Sequence, residues 1–271
     1  MKKLFLSIGN ILFICVAAIE PAPADEAYNP TKDEVAKVQV DAERGDASAE
    51  YRLSLLYFNG SRKADLPIDL ARALKWIRKA ADQNYPQAEF SLGLSYYNGQ
   101  GMPRDYTKAA EWYRRAAEQG LMDAQYNLAE LYHFGEGVSK DDSEAARWWH
   151  KAADQGYPAA QFNLGNAFHD GKGVPQSDAA AALWLQKAAE QGSSIAQYNL
   201  AFLCGNGEGV PKDLIQALMW LNLAAKHNFK DAIDVLPKLE KAMTPDQIAE
   251  AKRRVSEWKP TQEAKPETNP Q

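Results

Sequence analysis

The sequence predicts an all-α protein: an α-solenoid of stacked helix-turn-helix repeats with period 36, wound as a right-handed superhelix between terminal capping helices. Three observations predict it. Trp76, Trp112, Trp148, Trp184 and Trp220 stand 36 residues apart. An alanine pair follows each of them, from Ala80 and Ala81 to Ala224 and Ala225. A second block keeps the same phase: "AQYNLAELY" from Ala124, "AQFNLGNAF" from Ala160, "AQYNLAFLC" from Ala196 and the looser "AEFSLGLSY" from Ala88, with a first copy, "AEYRLSLLY" from Ala49, that sits 39 residues before the second. A fixed period of this length is the signature of a repeat array.

The elements follow in order. Lys2 and Lys3 precede an apolar run from Leu4 to Ala18 and a stretch of small residues. Residues 1–24 therefore read as a secretory signal peptide, cleaved after Ala24, with Ala22 and Ala24 in small-x-small spacing. The run falls short of the roughly 20 apolar residues of a membrane span, and Ile14 before Cys15 argues against a lipid-modified cysteine. Thr31 and Glu34 have capping-box spacing and open an N-terminal capping helix over 31–44.

Five repeats occupy 45–228. The first helix of each places residues such as Ala124, Leu128, Leu131 and Tyr132 on one face. A glycine-punctuated turn such as "FGEGV" follows, and then a second helix carrying Ala145, Trp148, Trp149, Ala152 and Ala153. Gly120, Gly156 and Gly192 end second helices in the left-handed conformation. The first repeat alone is longer, within "NGSRKADLPIDL", an insertion that loop-closure entropy penalises little. Ala232 and Leu236 keep the register briefly before it is lost, and Thr244, Pro245 and Gln247 start a closing helix. Residues 229–258 thus read as C-terminal capping helices and 259–271 as a disordered tail.

With 45% hydrophobic and 25% charged residues the chain can bury a core, and its net charge is −5. Loss of the leader removes only Lys2, Lys3 and Glu20 from the charged set, so the chain stays acidic. An acidic chain without a basic block is not expected to bind nucleic acid, and no membrane insertion is expected after leader removal. Cys204 then stands alone, so no internal disulfide is available. It shares the slot of the core aromatics Tyr132 and Phe168 and reads as a buried, inert thiol. No G-x-S-x-G, no H-E-x-x-H and no nucleophile–base pair is found, so the expectation is a non-enzyme with no cofactor. The "GEG" and "GKG" turns lack the Lys-Ser/Thr ending of a phosphate loop.

The units resemble the Sel-one-like repeat (SLR) family, relatives of tetratricopeptide repeats with longer units and glycine-rich turns. The resemblance covers roughly residues 42 to 236, and the closing segment from Ala217 to Trp258 is similar to the end of bacterial members. A tetratricopeptide array has a 34-residue period. The resemblance implies an α-solenoid that displays a surface for other proteins, often in the envelope or secretome of bacteria; with the leader, the expectation is an exported scaffold, periplasmic or secreted, that binds a protein or peptide ligand as a monomer. Some cysteine-rich relatives have been linked to penicillin binding or hydrolysis and carry one disulfide per repeat. The alternative reading is therefore a protein that binds or hydrolyses peptidoglycan, including a β-lactamase-like activity, although this chain has no such cysteines.

The stretch "EAARWWHKAADQG" gathers two tryptophans and a histidine. In phase, Trp149 shares its slot with Ile77, Tyr113, Leu185 and Leu221, whereas His150 shares its slot with Arg78, Arg114, Gln186 and Asn222. The stretch therefore reads as two core residues and a surface histidine. The candidate site lies instead on the face of the first helix opposite its core positions. With Ala124 at zero, Tyr126, Glu130 and His133 fall at about 200°, 240° and 180°.

The same slots hold Tyr51, Leu55 and Phe58; Phe90, Leu94 and Tyr97; Phe162, Asn166 and His169; and Tyr198 and Phe202. An exposed ladder of this kind would form a concave groove for a peptide or protein, with apolar ends and a polar centre. The competing reading packs the leading aromatics between successive first helices. His133 and His169 with Glu130 meet a minimal zinc ligand count. Phe58 and Tyr97 fill the same slot, however, and no metal is expected. Asn127, Asn163 and Asn199 flank the core face and are expected to bond neighbouring helix ends.

Overall fold

A computed structural model describes residues 29–261. The expected leader and its cleavage site lie outside the described residues, as does the chain beyond Thr261. Thirteen helices and no strands occur among the described residues. Helix α1 (Lys32–Glu43) precedes five helix pairs: α2 (Ala47–Asn59) with α3 (Leu70–Asp82), α4 (Pro86–Asn98) with α5 (Tyr106–Glu118), α6 (Met122–Phe134) with α7 (Asp142–Asp154), α8 (Pro158–Asp170) with α9 (Asp178–Glu190), and α10 (Ser194–Asn206) with α11 (Leu214–Lys226). Helices α12 (Lys230–Glu240) and α13 (Pro245–Glu257) follow. The chain divides into two compact units, one ending at Trp148 and the other starting at Trp149. In the N-terminal unit α1 packs on α2, α2 on α3, α3 on α4, α4 on α5 and α5 on α6. In the C-terminal unit α8 packs on α9, α9 on α10, α10 on α11, and α11 on both α12 and α13.

Each pair is closed in the same way. The residue that caps the second helix donates its backbone N–H to a carbonyl near the end of the first: Asp69 to Tyr57, Asp105 to Tyr96, Asp141 to Tyr132, Ser177 to Phe168 and Asp213 to Cys204, at 2.8–2.9 Å. The side chain of the same Asp or Ser accepts N–H groups of the helix it opens, which satisfies donors otherwise left without partners. Small residues allow the two helices to approach closely. A Cβ on Gly93 would lie 2.6 Å from the Tyr113 ring, and one on Gly165 would lie 2.8 Å from Leu185.

The glycine turns do more than reverse the chain. Gly137 has φ +67°, and a Cβ there would overlap the carbonyl of Tyr106, the first residue of α5. Gly209 meets the carbonyl of Asp178 at the start of α9 in the same way. The turn of one repeat thus sits on the first turn of the preceding repeat's second helix, and the second glycine is required by contact as well as by conformation.

Gly120, Gly156 and Gly192 adopt φ of +93°, +90° and +94° after their second helices, as the sequence predicts. The matching positions in the first and last repeats are Asn84 and Asn228, at +60° and +62°, the side chain that best tolerates this region after glycine.

The period indoles pack in or against the core, Trp148, Trp184 and Trp220 buried and Trp76 and Trp112 partly so, and four of the five carry a cation over the ring. Trp148 and Trp149 are 3% and 4% exposed. Lys79 lies 4.3 Å from the Trp76 ring, Arg115 4.3 Å from Trp112, Arg147 4.5 Å from Trp148 and Lys187 3.9 Å from Trp184. Such cation–π contacts let a large ring meet water through a charged neighbour.

In the C-terminal unit Trp258 packs edge-on against Trp220, and Thr261 donates both its backbone N–H and its hydroxyl to the carbonyl of Glu190, at 2.9 and 3.2 Å. The start of the expected free tail, residues 259–261, is therefore tied down. Two hydrogen bonds at the end of α9 hold it.

Candidate partner-binding face

The aromatic ladder expected to line a groove is largely closed. Phe90, Tyr126, Phe162 and Tyr198 are buried, and Tyr51 is half-buried. The reason is the residue that heads the next first helix. Tyr51 packs on Tyr85 with ring centroids 5.5 Å apart, and Tyr198 packs on Phe229 at 5.3 Å. Tyr85 and Phe229 occupy N-cap positions but make no side-chain cap; their rings serve the inter-repeat contact instead. Phe90 leans on Tyr113 of its own repeat at 5.6 Å. These rings set how successive helices meet and do not form an open apolar trough.

The other two slots are divided. Leu55 and Phe202 remain half-buried, whereas Leu94, Glu130 and Asn166 are buried. Phe58, Tyr97 and His169 are buried, and His133 is half-buried. Of the fourteen expected face residues, only Tyr51, Leu55, His133 and Phe202 keep appreciable exposure. The expectation of a polar centre open to a ligand is thus corrected. Asn166 accepts a hydrogen bond from Asn199 of the next repeat at 3.1 Å, so this amide is used between repeats. Asn127 donates to the Asp123 carbonyl within its own helix at 2.8 Å, so Asn127 and Asn199 bond to groups other than the neighbouring helix ends expected of them.

His133 and His169 do not converge on a shared ion. Each Nδ1 lies 2.8 Å from a carboxylate oxygen of its own repeat, Asp142 and Asp178 respectively. The pairs link the last turn of the first helix to the first turn of the second. Tyr97 and Tyr106 fill the same two slots with tilted rings whose centroids lie 4.9 Å apart. Among the described residues no group of three His, Cys, Asp or Glu side chains has the geometry to hold a metal. Cys204 is buried, and burial pushes its thiol up to about 11, far from a reactive thiolate.

A buried polar row escaped the sequence reading. Glu50, Glu89, Gln125, Gln161 and Gln197 follow the leading alanine of each first helix, and all are buried. Glu50 accepts from the Gln83 amide at 2.7 Å, Glu89 from Gln119 at 2.6 Å, and Gln161 from Gln191 at 2.8 Å. Arg115 adds an ion pair to Glu89 at 2.9 Å. The signal was present in the repeated "AE" and "AQ" pairs, which hold a polar residue at a fixed place in every copy.

Burial pushes the carboxyl groups of Glu50 and Glu89 above the ordinary value, against the opposing effect of their amide and cationic partners. A raised value in the fold means that the native state holds its proton where the unfolded chain has lost it, so these groups withdraw stability as pH rises through that window. Glu50→Gln places here the residue that three other repeats carry. It is expected to raise Tm at pH 7 by roughly 2 °C and to change it little at pH 3.5; an equal shift at both pH values in thermal melts would refute this account.

The comparisons match this architecture. The Sel1 repeat is recognised five times, at residues 47–85, 86–121, 123–157, 158–193 and 194–229. The chain belongs to the Sel1 repeat family. Among solved structures it is similar to the protective antigen c5321 of uropathogenic Escherichia coli, which displays an SLR fold, with 34% identity and a TM-score of 0.74 over 82% of this chain and 48% of that one. It is also similar to a Sel1 repeat protein from Oxalobacter formigenes, with 36% identity and a TM-score of 0.66 over 76% of this chain and 59% of the other. This Sel1 chain therefore spans about half the length of the first and less than two thirds of the second. No curated protein matches it. Sel1 repeat proteins are generally protein–protein interaction scaffolds and typically not enzymes. Among the described residues no helix is long and apolar enough to cross a membrane.

Proposed function

We propose that this Sel1 protein is an exported scaffold that captures a protein or peptide on the first-helix face of its repeats. The single observation that carries the reading is the behaviour of one slot. Leu55 in the first repeat and Phe202 in the fifth stay half-exposed where the intervening repeats bury Leu94, Glu130 and Asn166. Apolar side chains left open on two first helices are the natural anchors for a partner. Tyr51 lies beside Leu55 on α2 and adds an amphipathic ring to that anchor. The leader pattern of residues 1–24 supports export, and the similar chain from uropathogenic Escherichia coli is described as a protective antigen. The partner therefore belongs to the cell envelope or the medium, as a regulator or its target or as a host protein.

The test is capture from envelope extract with the parent protein and with Leu55→Asp and Phe202→Asp. Leu55→Asp is expected to fold with little change in Tm and Phe202→Asp, which loses an edge contact with Tyr198, with a measurable loss, while capture of the specific partner by the folded variants falls at least about fivefold. Undiminished capture by both variants would rule out this face. Cosedimentation with purified peptidoglycan in place of a stoichiometric protein would favour wall binding.

A further inference from the structure

The first repeat differs from the other four in its charge. Between Ser61 and Ala81 its enlarged turn and helix α3 carry six basic residues and two acids, whereas the matching stretch of the third repeat, Gly135 to Ala153, carries three basic residues and four acids. Arg72, Lys75, Arg78 and Lys79 are all exposed, and at about 100° per residue they fall within about 120° of one another around the helix. Arg72 is paired with Asp69 at 3.2 Å, and Lys79 lies over Trp76. Lys75 and Arg78 form no ion pair with any carboxylate of the described residues.

The turn that leads into this helix is held in place. Ser61 and Leu66 exchange backbone hydrogen bonds at 2.8 and 2.9 Å. The Ser61 hydroxyl is shared between the Pro30 carbonyl and Asn29 Oδ1, both at 2.9 Å, and the Lys63 N–H donates to Asn29 Oδ1 at 3.1 Å. Arg62 and Lys63 stay exposed. Ile68, next to the N-cap of α3, keeps 64% of its surface bare, more than any other large apolar side chain of the described residues.

We propose that this turn and the outer face of α3 form a docking surface for an acidic segment of a protein partner, which sets carboxylates against Lys75 and Arg78 and an apolar side chain against Ile68. Charge selects the occupant. The chain as a whole has a net charge of −5, so the positive excess is local to this repeat. Lys75 and Arg78 accept a counter-charge without breaking an existing pair. A membrane or a nucleic acid spreads phosphates over an area wider than one repeat, and would bring them against Glu111 and Glu118, exposed on α5 of the next repeat. A peptide segment confines its charge to the patch. From Ile68 to Lys79 the surface is about 17 Å long, the reach of about five extended residues. Because the turn is already ordered, docking costs little entropy on this side. Exposed ion pairs are individually weak and screened by salt, so the interaction is modest and salt-sensitive.

Fluorescence anisotropy of a labelled peptide, one leucine followed by about five glutamates, titrated with the full chain tests this. At about 50 mM salt the parent is expected to bind with a Kd of about 10–100 µM, and at about 300 mM to bind at least about fivefold more weakly. Lys75→Glu combined with Arg78→Glu is expected to weaken binding at least about tenfold with unchanged helicity and Tm, since both side chains are exposed. Ile68→Ser is expected to weaken it about threefold. Lys238→Glu combined with Lys241→Glu makes the same change in net charge on the exposed surface of the last repeats, and is expected to weaken it less than about twofold. Four results would each overturn the proposal: a parent that does not bind, an equal loss from the Lys238 and Lys241 pair, equal binding of a peptide with glutamine in place of glutamate, or tighter binding of phosphatidylglycerol vesicles or a single-stranded oligonucleotide through Lys75 and Arg78.

Discussion

Replacing Gly137 with alanine is expected to destabilise the protein by about 3 kcal/mol or more, whereas Gly120→Ala costs about 1–2 kcal/mol. Both glycines have positive φ, at +67° and +93°, so both variants carry the backbone strain of a side chain in that region. They differ in what the new methyl group meets. Nothing lies within 4 Å of a Cβ on Gly120, whereas one on Gly137 would overlap the carbonyl of Tyr106. Backbone cannot rotate away as a flexible side chain does, so the turn must lift from α5, and overpacking of this kind adds about 1–3 kcal/mol. Urea denaturation of the two variants side by side measures the difference. Equal losses would show that the turn is not locked onto the preceding repeat.

Trp148→Ala is expected to cost about 3–5 kcal/mol, the range for truncating a buried aromatic. The indole is 3% exposed among Ala145, Ala152 and its neighbours, and it carries Arg147 over its outer face at 4.5 Å. Truncation leaves a cavity and an arginine without its ring. His150→Ala, two residues away and exposed, is expected to change stability by no more than about 0.5 kcal/mol. The contrast is read from the shift in urea midpoint at constant slope. A loss below about 1 kcal/mol for Trp148→Ala would remove this residue from the core.

The helix pairs were legible because each is specified locally. The heptad-like spacing of alanine and leucine and a left-handed residue after the second helix act within a few residues, and repetition displayed the first in every copy and the glycine in three. The slot comparison that assigned Trp149 to the core and His150 to the surface worked for the same reason. The candidate face was less legible. A helical wheel sorts residues by angle about a single axis, and it treats the side opposite the core as open. In a stack that side meets the next repeat, and Tyr51 and Tyr198 are covered by Tyr85 and Phe229, more than thirty residues further along the chain. Asn166 was hidden from the wheel in the same way, since its partner is Asn199.

By itself the sequence determined the all-α class, the 36-residue period, the helix pairs, the caps of the terminal helices and the inward turn of the indoles. Each of these depends on contacts between residues close in the chain, repeated until noise averages out. Only the tertiary structure decided which faces remain open: it closed the aromatic ladder, buried Glu50 and Glu89, seated Gly137 on Tyr106 and left Leu183 bare. Exposure is a property of neighbouring repeats. Whether a ring ends in solvent or under the next helix depends on distances between repeats that a residue's own spacing does not contain.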